Sequence, residues 1–181
     1  MINEGIVNNT DYKKFKTSLR THLCGELRKS SVGQKVILCG WVNKRRDHGK
    51  LIFIDLRDFS GIVQAVFDAN LNIEAYKIAK EIRSEFIVCI DGFVKARSDD
   101  TVNIEIDTGE IEISVNKIKI FSKSKTPPFI LDERDMVDEM TRLRYRYVDL
   151  RTQEMQENIR LRHNITSTTR DYFNKNGFIE V

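Results

Sequence analysis

The amino-acid sequence predicts a mainly β protein centred on a five-stranded Greek-key barrel, with one helix between the third and fourth strands. Two observations carry this. Between Val36 and Phe121, five segments rich in β-branched and aromatic residues are separated by turn residues: VILCGWVNKRR, LIFIDLRD, GIVQAVF, EFIVCIDGFVKAR and EIEISVNKIKIF. Between the third and fourth lies NIEAYKIAKEIR, where Ala75, Ile78, Ala79 and Ile82 recur at the spacing of an amphipathic helix. The order β-β-β-α-β-β is that of the OB-fold, whose second and third strands commonly face oligonucleotides. RRDHGK then reads as a loop at the barrel mouth, and DFSG as a tight turn between strands two and three.

After Phe121 the texture changes. SKSKTPPFIL holds both prolines of the chain and reads as a linker. DERDMVDEMTRLRYRYVDLR, dense in both charge signs, is followed by a long helix with Leu161, Ile165, Thr169 and Tyr172 along one face, and GFIEV reads as a short final strand. The expected organisation is an extension over 1–18, the barrel over 19–122, a linker over 123–134, and an incomplete α+β segment over 135–181.

Composition narrows the functional classes without choosing among them. With 181 residues, 40% hydrophobic and 31% charged, the chain is long enough for a real core. A net charge of +3 admits an anionic partner but is far from the strongly basic balance of non-specific nucleic-acid binders. Cys24, Cys39 and Cys89 are widely spaced and odd in number, so they read as reduced thiols of a cytoplasmic protein, with no zinc site. No apolar run approaches a membrane span, and MINEGIVNNTDYKKFKTS lacks the build of a secretory signal, so it reads as a frayed extension. The phosphate loop GxxxxGK, the dinucleotide motif GxGxxG and any recognisable nucleophile–base spacing are missing from the sequence, so no catalytic residue, metal or cofactor is expected in it.

The residues under suspicion are those of a nucleic-acid face. In the second strand, Ile52, Ile54 and Leu56 want the core, and strand alternation then displays Phe53 beside Arg57 on the other side. A displayed ring either stacks on an unpaired base or packs under a loop. Gln64 places a carboxamide among apolar neighbours, where it suits either a base edge or a backbone partner. Glu110 and Glu112 lie on the polar side of the fifth strand, as acceptors for base amino groups or as a solvated face. Lys44, Arg45, Arg46 and Lys50 form a basic cluster suited to phosphates, or through a guanidinium to a base. His48, alone in the same loop, is not a metal ligand.

GWVNKRRDHGKLIFIDLRDFSGIVQAVF closely resembles the anticodon-binding domain of bacterial aspartyl-tRNA synthetases. The likeness runs from LRTHLCGELR through GFVKAR and TGEIEI to RLRYRYVDLR, a phrase typical of the aspartyl, asparaginyl and lysyl class II enzymes, and covers roughly Leu19 to Val181. The helix with NGFIEV looks like the start of class II motif 1; motifs 2 and 3, which in the family bind ATP with magnesium and the adenylate, are missing, so these residues alone are expected to be inactive. The resemblance implies that Phe53 stacks on the central anticodon uridine and Gln64 reads its edge. It implies a contact from Arg46 to the same region and base reading by Glu112, with Glu110 secondary. The loop reads RRDHG where several bacterial members have RRDLG, and His48 resembles relatives that charge both aspartate and asparagine tRNAs. It further implies a homodimeric parent enzyme that binds tRNA and no membrane. Competing readings are a stand-alone OB module for single-stranded nucleic acid, the lysyl or asparaginyl branch, and an OB protein that has lost catalysis.

Overall fold

The computed structural model describes residues 19–181; the extension expected over 1–18 lies outside them. The chain divides into two compact units, the first ending at Thr126 and the second running from Pro127 to Val181.

The first unit is a closed barrel of five strands: β1 (Lys35–His48), β2 (Leu51–Asp58), β3 (Gly61–Asp68), β4 (Ile87–Ala96) and β5 (Ile111–Ser122), with α1 (Ile73–Glu81) between β3 and β4. The strand order is β1-β2-β3-β5-β4, closing back on β1, and only the short β3–β5 contact is parallel. Alternation sets the two faces. In β2, Ile52, Ile54, Leu56 and Asp58 are buried while Leu51, Phe53, Asp55 and Arg57 are half-buried. Val63, Ala65 and Phe67 of β3, Val88, Ile90 and Val94 of β4 and Ile111, Ile113 and Val115 of β5 complete the core. Beneath it α1 contributes Ala75, Tyr76 and Ala79, joined by Ile82 just beyond the helix; Tyr76 takes an inward place and Ile78 lies partly exposed. Asn72 caps α1 by accepting from the amides of Glu74 and Ala75.

The expected loop RRDHGK is mostly strand. β1 runs on to His48, which pairs with Leu51, leaving Gly49 and Lys50 as a two-residue turn. Gly49 has φ +71°, the positive value that primed hairpin turns need at their first central position. A bulge at Asn43, between the Val42–Leu56 and Lys44–Asp55 pairs, lets this long arm bend. DFSG is the tight turn expected, with Asp58 opposite Gly61. Buried Asp58 accepts from the amides of Cys24 and Ser60, tying the 3-10 turn Cys24–Glu26 onto the barrel. Gly25 lies so close to the Ser60 carbonyl that a Cβ there would sit 2.1 Å from its oxygen.

In the second unit a 3-10 segment (Leu131–Met136) precedes α2 (Glu139–Arg144), α3 (Arg146–Asp149) and α4 (Gln153–Lys175). Its apolar cluster is small: Phe129, Leu131 and Val148, with Val137 and Tyr145 against them. Asp149, fully buried, accepts from Arg134 Nε at 2.8 Å and Arg146 Nη1 at 2.6 Å, and Arg134 also donates to Glu154. The helix expected from Leu161, Ile165, Thr169 and Tyr172 is present, and none of its residues is buried. GFIEV is not a strand: Phe178–Val181 carry no regular structure. A strand needs a neighbour to take up its backbone hydrogen bonds, and no described strand lies in this unit.

Candidate nucleic-acid interface

The outer face of β1–β2–β3 is built by the bulge at Asn43. Before it, even-numbered residues of β1 point inward: Val36, Leu38, Gly40 and Val42 are all buried. An extra residue reverses that parity. Lys44 and Arg46 therefore emerge on the outside, opposite Asp55 and Phe53. Arg45 turns the other way, against α1, where its Nε donates to the Ala79 carbonyl at 3.0 Å and its Nη2 to Asp47 at 2.8 Å. Asn43 and Arg57 anchor the bulge: Arg57 donates to Asn43 Oδ1 at 2.6 Å and to Glu85 Oε1 at 2.8 Å. Glu85 itself takes φ +63° and donates its amide to Val42.

On that face a connected polar row crosses four strands, β1, β2, β3 and β5. Arg46 donates to Asp55 Oδ1 at 2.7 Å and to Gln64 Oε1 at 3.0 Å, and Gln64 Nε2 donates to Glu112 Oε2 at 3.3 Å. The neighbours orient the amide: a guanidinium donor holds its carbonyl on one side, and a carboxylate acceptor holds its NH2 on the other. Gln64 is only 8% exposed, so its partners fix it rather than solvent. Phe53 stands next to this row, cross-strand from Arg46 and Val66. The ring is half-buried and makes a T-shaped pair with the His48 imidazole, 5.5 Å between centroids and 89° between planes.

Two members of the face were not singled out from the sequence. Asp55 shares Phe53's parity, and that alternation was the available signal. Burial raises its carboxyl above the usual range, against the opposing pull of Arg46, Arg97 and Lys44. Arg97, just beyond β4, left no such signal. Its Nε donates to the Ile111 carbonyl at 2.9 Å, while its buried Nη2 has no hydrogen-bond partner among the described residues. Burial lowers its pKa, with Glu112 and Asp55 pulling the other way.

Of the sequence candidates, the structure thus gathers Lys44, Arg46, His48, Phe53, Gln64 and Glu112 on or beside one face. It places Arg45 against α1. Glu110, just before β5, lies 3.6 Å from Lys29 Nζ and takes no part in the Arg46–Gln64–Glu112 row. The face offers an aromatic ring, a fixed carboxamide, an acceptor carboxylate and two cations, which is the chemistry for holding an unstacked base and its phosphates.

Residues 36–121 match the family model described as OB-fold nucleic acid binding domain, and residues 138–181 match that of class II tRNA synthetases (D, K and N). The aspartate–tRNA(Asp/Asn) ligase of Natranaerobius thermophilus is 54% identical over 162 residues, 90% of this chain and 28% of that protein. That of Thermoanaerobacter sp. is 52% identical over 90% of this chain and 27% of its own length. The chain therefore spans little more than a quarter of these curated relatives. Among solved structures, a putative aspartyl-tRNA synthetase from Leishmania major Friedlin superposes with a TM-score of 0.80 at 27% identity, covering 92% of this chain and 34% of that one. Asparaginyl-tRNA synthetase from Pyrococcus horikoshii gives 0.78 at 28% identity, over 90% and 37%. A closed five-strand barrel carrying this face, followed by a class II segment and matched at about half identity by aspartate–tRNA ligases, makes the chain a member of the class II aspartyl-tRNA synthetase family.

Proposed function

We propose that the barrel reads the anticodon loop of tRNA for an enzyme that joins aspartate to tRNA. One observation carries the reading: the outward Phe53 ring stands beside the hydrogen-bonded Arg46–Gln64–Glu112 row. Phe53 stacks on the central anticodon base and Gln64 reads that base's edge. Arg46 holds the amide in place and faces the backbone, Glu112 accepts from a base amino group, and Lys44 meets phosphate. Arg97 supports them from behind through its charge, which Glu112 and Asp55 feel. In the parent reaction aspartate attacks the α-phosphate of ATP, releasing pyrophosphate. The terminal adenosine hydroxyl of tRNA then attacks the activated carbonyl and releases AMP. ATP and magnesium belong to that chemistry, but among the described residues no three His, Cys, Asp or Glu side chains are placed to hold a metal ion. This chain's part is recognition, and alone it is expected not to ligate. The parent enzyme is proposed to be a cytoplasmic homodimer; the exposed Leu161 and Ile165 of α4 are the apolar side chains such an assembly would cover.

The enzyme is further proposed to accept both aspartate and asparagine tRNAs, which differ in the third anticodon base. His48 supports this, since an imidazole both donates and accepts where leucine does neither, and the relatives' names carry both amino acids. Charging of tRNA bearing the asparagine anticodon by full-length enzyme, before and after His48→Leu, tests it; refusal by the unaltered enzyme removes dual choice. The recognition itself is tested by comparing affinity for the aspartate anticodon stem–loop with that for an unrelated loop at one ionic strength. The cognate loop is expected to bind at least about tenfold tighter, and near equality removes the reading.

A further inference from the structure

Cys39 of β1 and Cys89 of β4 are direct cross-strand partners. The hydrogen-bond pattern says which kind. At the two ends of this antiparallel pair Val94 donates to the Gln34 carbonyl and Val42 to that of Phe86, so the even-numbered positions turn their backbone groups toward the facing strand. Ile37 turns its backbone away from β4: its amide donates to Thr21 Oγ1 and its carbonyl accepts from the Thr21 amide. Cys39 shares the parity of Ile37, so Cys39–Cys89 is a non-hydrogen-bonded pair, the class in which opposed side chains lie closest, with Cα atoms about 4.5 Å apart. That separation is inside the range a disulfide spans. Both thiols converge on one acceptor, the Leu19 carbonyl, at 3.2 Å from Cys39 and 3.8 Å from Cys89. Both are half-buried, whereas Cys24 is sealed in the core.

We infer that Cys39 and Cys89 form a cross-strand dithiol that closes to a disulfide, a modification site stapling β1 to β4. The oxidant is a low-molecular-weight disulfide such as oxidised glutathione. One cysteine, as thiolate, attacks a glutathione sulfur, releasing one glutathione thiolate and leaving a mixed disulfide. The second cysteine then attacks the protein sulfur of that bond and expels the other glutathione. The two cysteines lose two protons and two electrons, and glutathione disulfide is reduced to two thiols. Burial and hydrogen bonding with Cys89 push the Cys39 thiol up to about 12, while Arg20 pulls the other way. Closure is therefore slow at neutral pH and accelerates as pH rises.

The test is to incubate the chain with oxidised glutathione at pH 7 and pH 9, block remaining thiols without reduction, and map peptides by mass spectrometry. A Cys39–Cys89 cross-link is expected, formed faster at pH 9, with Cys24 alkylated only after denaturation. The oxidised chain should unfold about 5 °C or more higher, reversibly with dithiothreitol, and Cys89→Ser should show no such rise. The inference is overturned if glutathione stays on either cysteine as a mixed disulfide, if both thiols stay unmodified at pH 9, or if links form only between chains. Mapping the unaltered chain keeps the test decisive even if Cys89→Ser folds poorly.

Discussion

The two units hold themselves together by different means. In the barrel, all five strands and α1 bury apolar side chains into one cluster. In the second unit Phe129, Leu131 and Val148 form a small cluster beside the buried Asp149 carboxylate, and the 23-residue α4 buries nothing. Burial of apolar area is the main favourable contribution to folding, so the barrel is expected to be stable on its own terms and the second unit to lean on a few polar contacts.

The largest expected effect breaks that contrast most directly. Ile54→Ala should cost the barrel about 2–5 kcal/mol in denaturant unfolding, whereas Leu161→Ala on α4 should stay within about 0.5 kcal/mol. Equal costs would mean α4 is covered in solution. Next is Asp149→Ala, which strips Arg134 and Arg146 of their shared acceptor. Loss of about 2–3 kcal/mol should appear as faster amide exchange over 129–152 with the barrel amides unchanged. A uniform change through both units would join what the contrast separates.

How much of this was legible follows from which features are periodic. Ile52, Ile54 and Leu56 announced the inner face of β2, and with it the outward position of Phe53, because a strand's period of two is written in consecutive residues. The bulge at Asn43 was not legible, since nothing local distinguishes a strand that runs straight through NKRR from one that bulges at Asn43 and reverses its parity. That single residue decides that Arg46 joins Gln64 while Arg45 leaves for α1. Long-range pairings were hidden for the same reason: Gln64 with Glu112 and Cys39 with Cys89 are set by barrel closure. GFIEV read as a strand because composition was visible and the lack of a partner was not.

A smaller effect sharpens the picture of the face itself. Asp55 has a raised folded pKa, so just above the usual aspartate range the folded chain binds a proton that the unfolded chain releases. Its contribution to stability therefore grows as pH falls through that folded value, opposite in sign to an ion-paired carboxylate whose pKa is depressed. Titration of the Asp55 carboxyl by NMR should give a midpoint above that of the unfolded chain. A midpoint below it would mean that Arg46 dominates over burial.

The central claim, that the Phe53 ring holds the middle anticodon base, is tested most directly by a double cycle. Affinity for the aspartate anticodon stem–loop is measured with the chain and with Phe53→Ala, each against the intact loop and one lacking the central base. Removing the base should weaken binding to the unaltered chain by about 1–3 kcal/mol and make little difference to Phe53→Ala. Equal losses for both proteins would contradict a stack between that ring and that base.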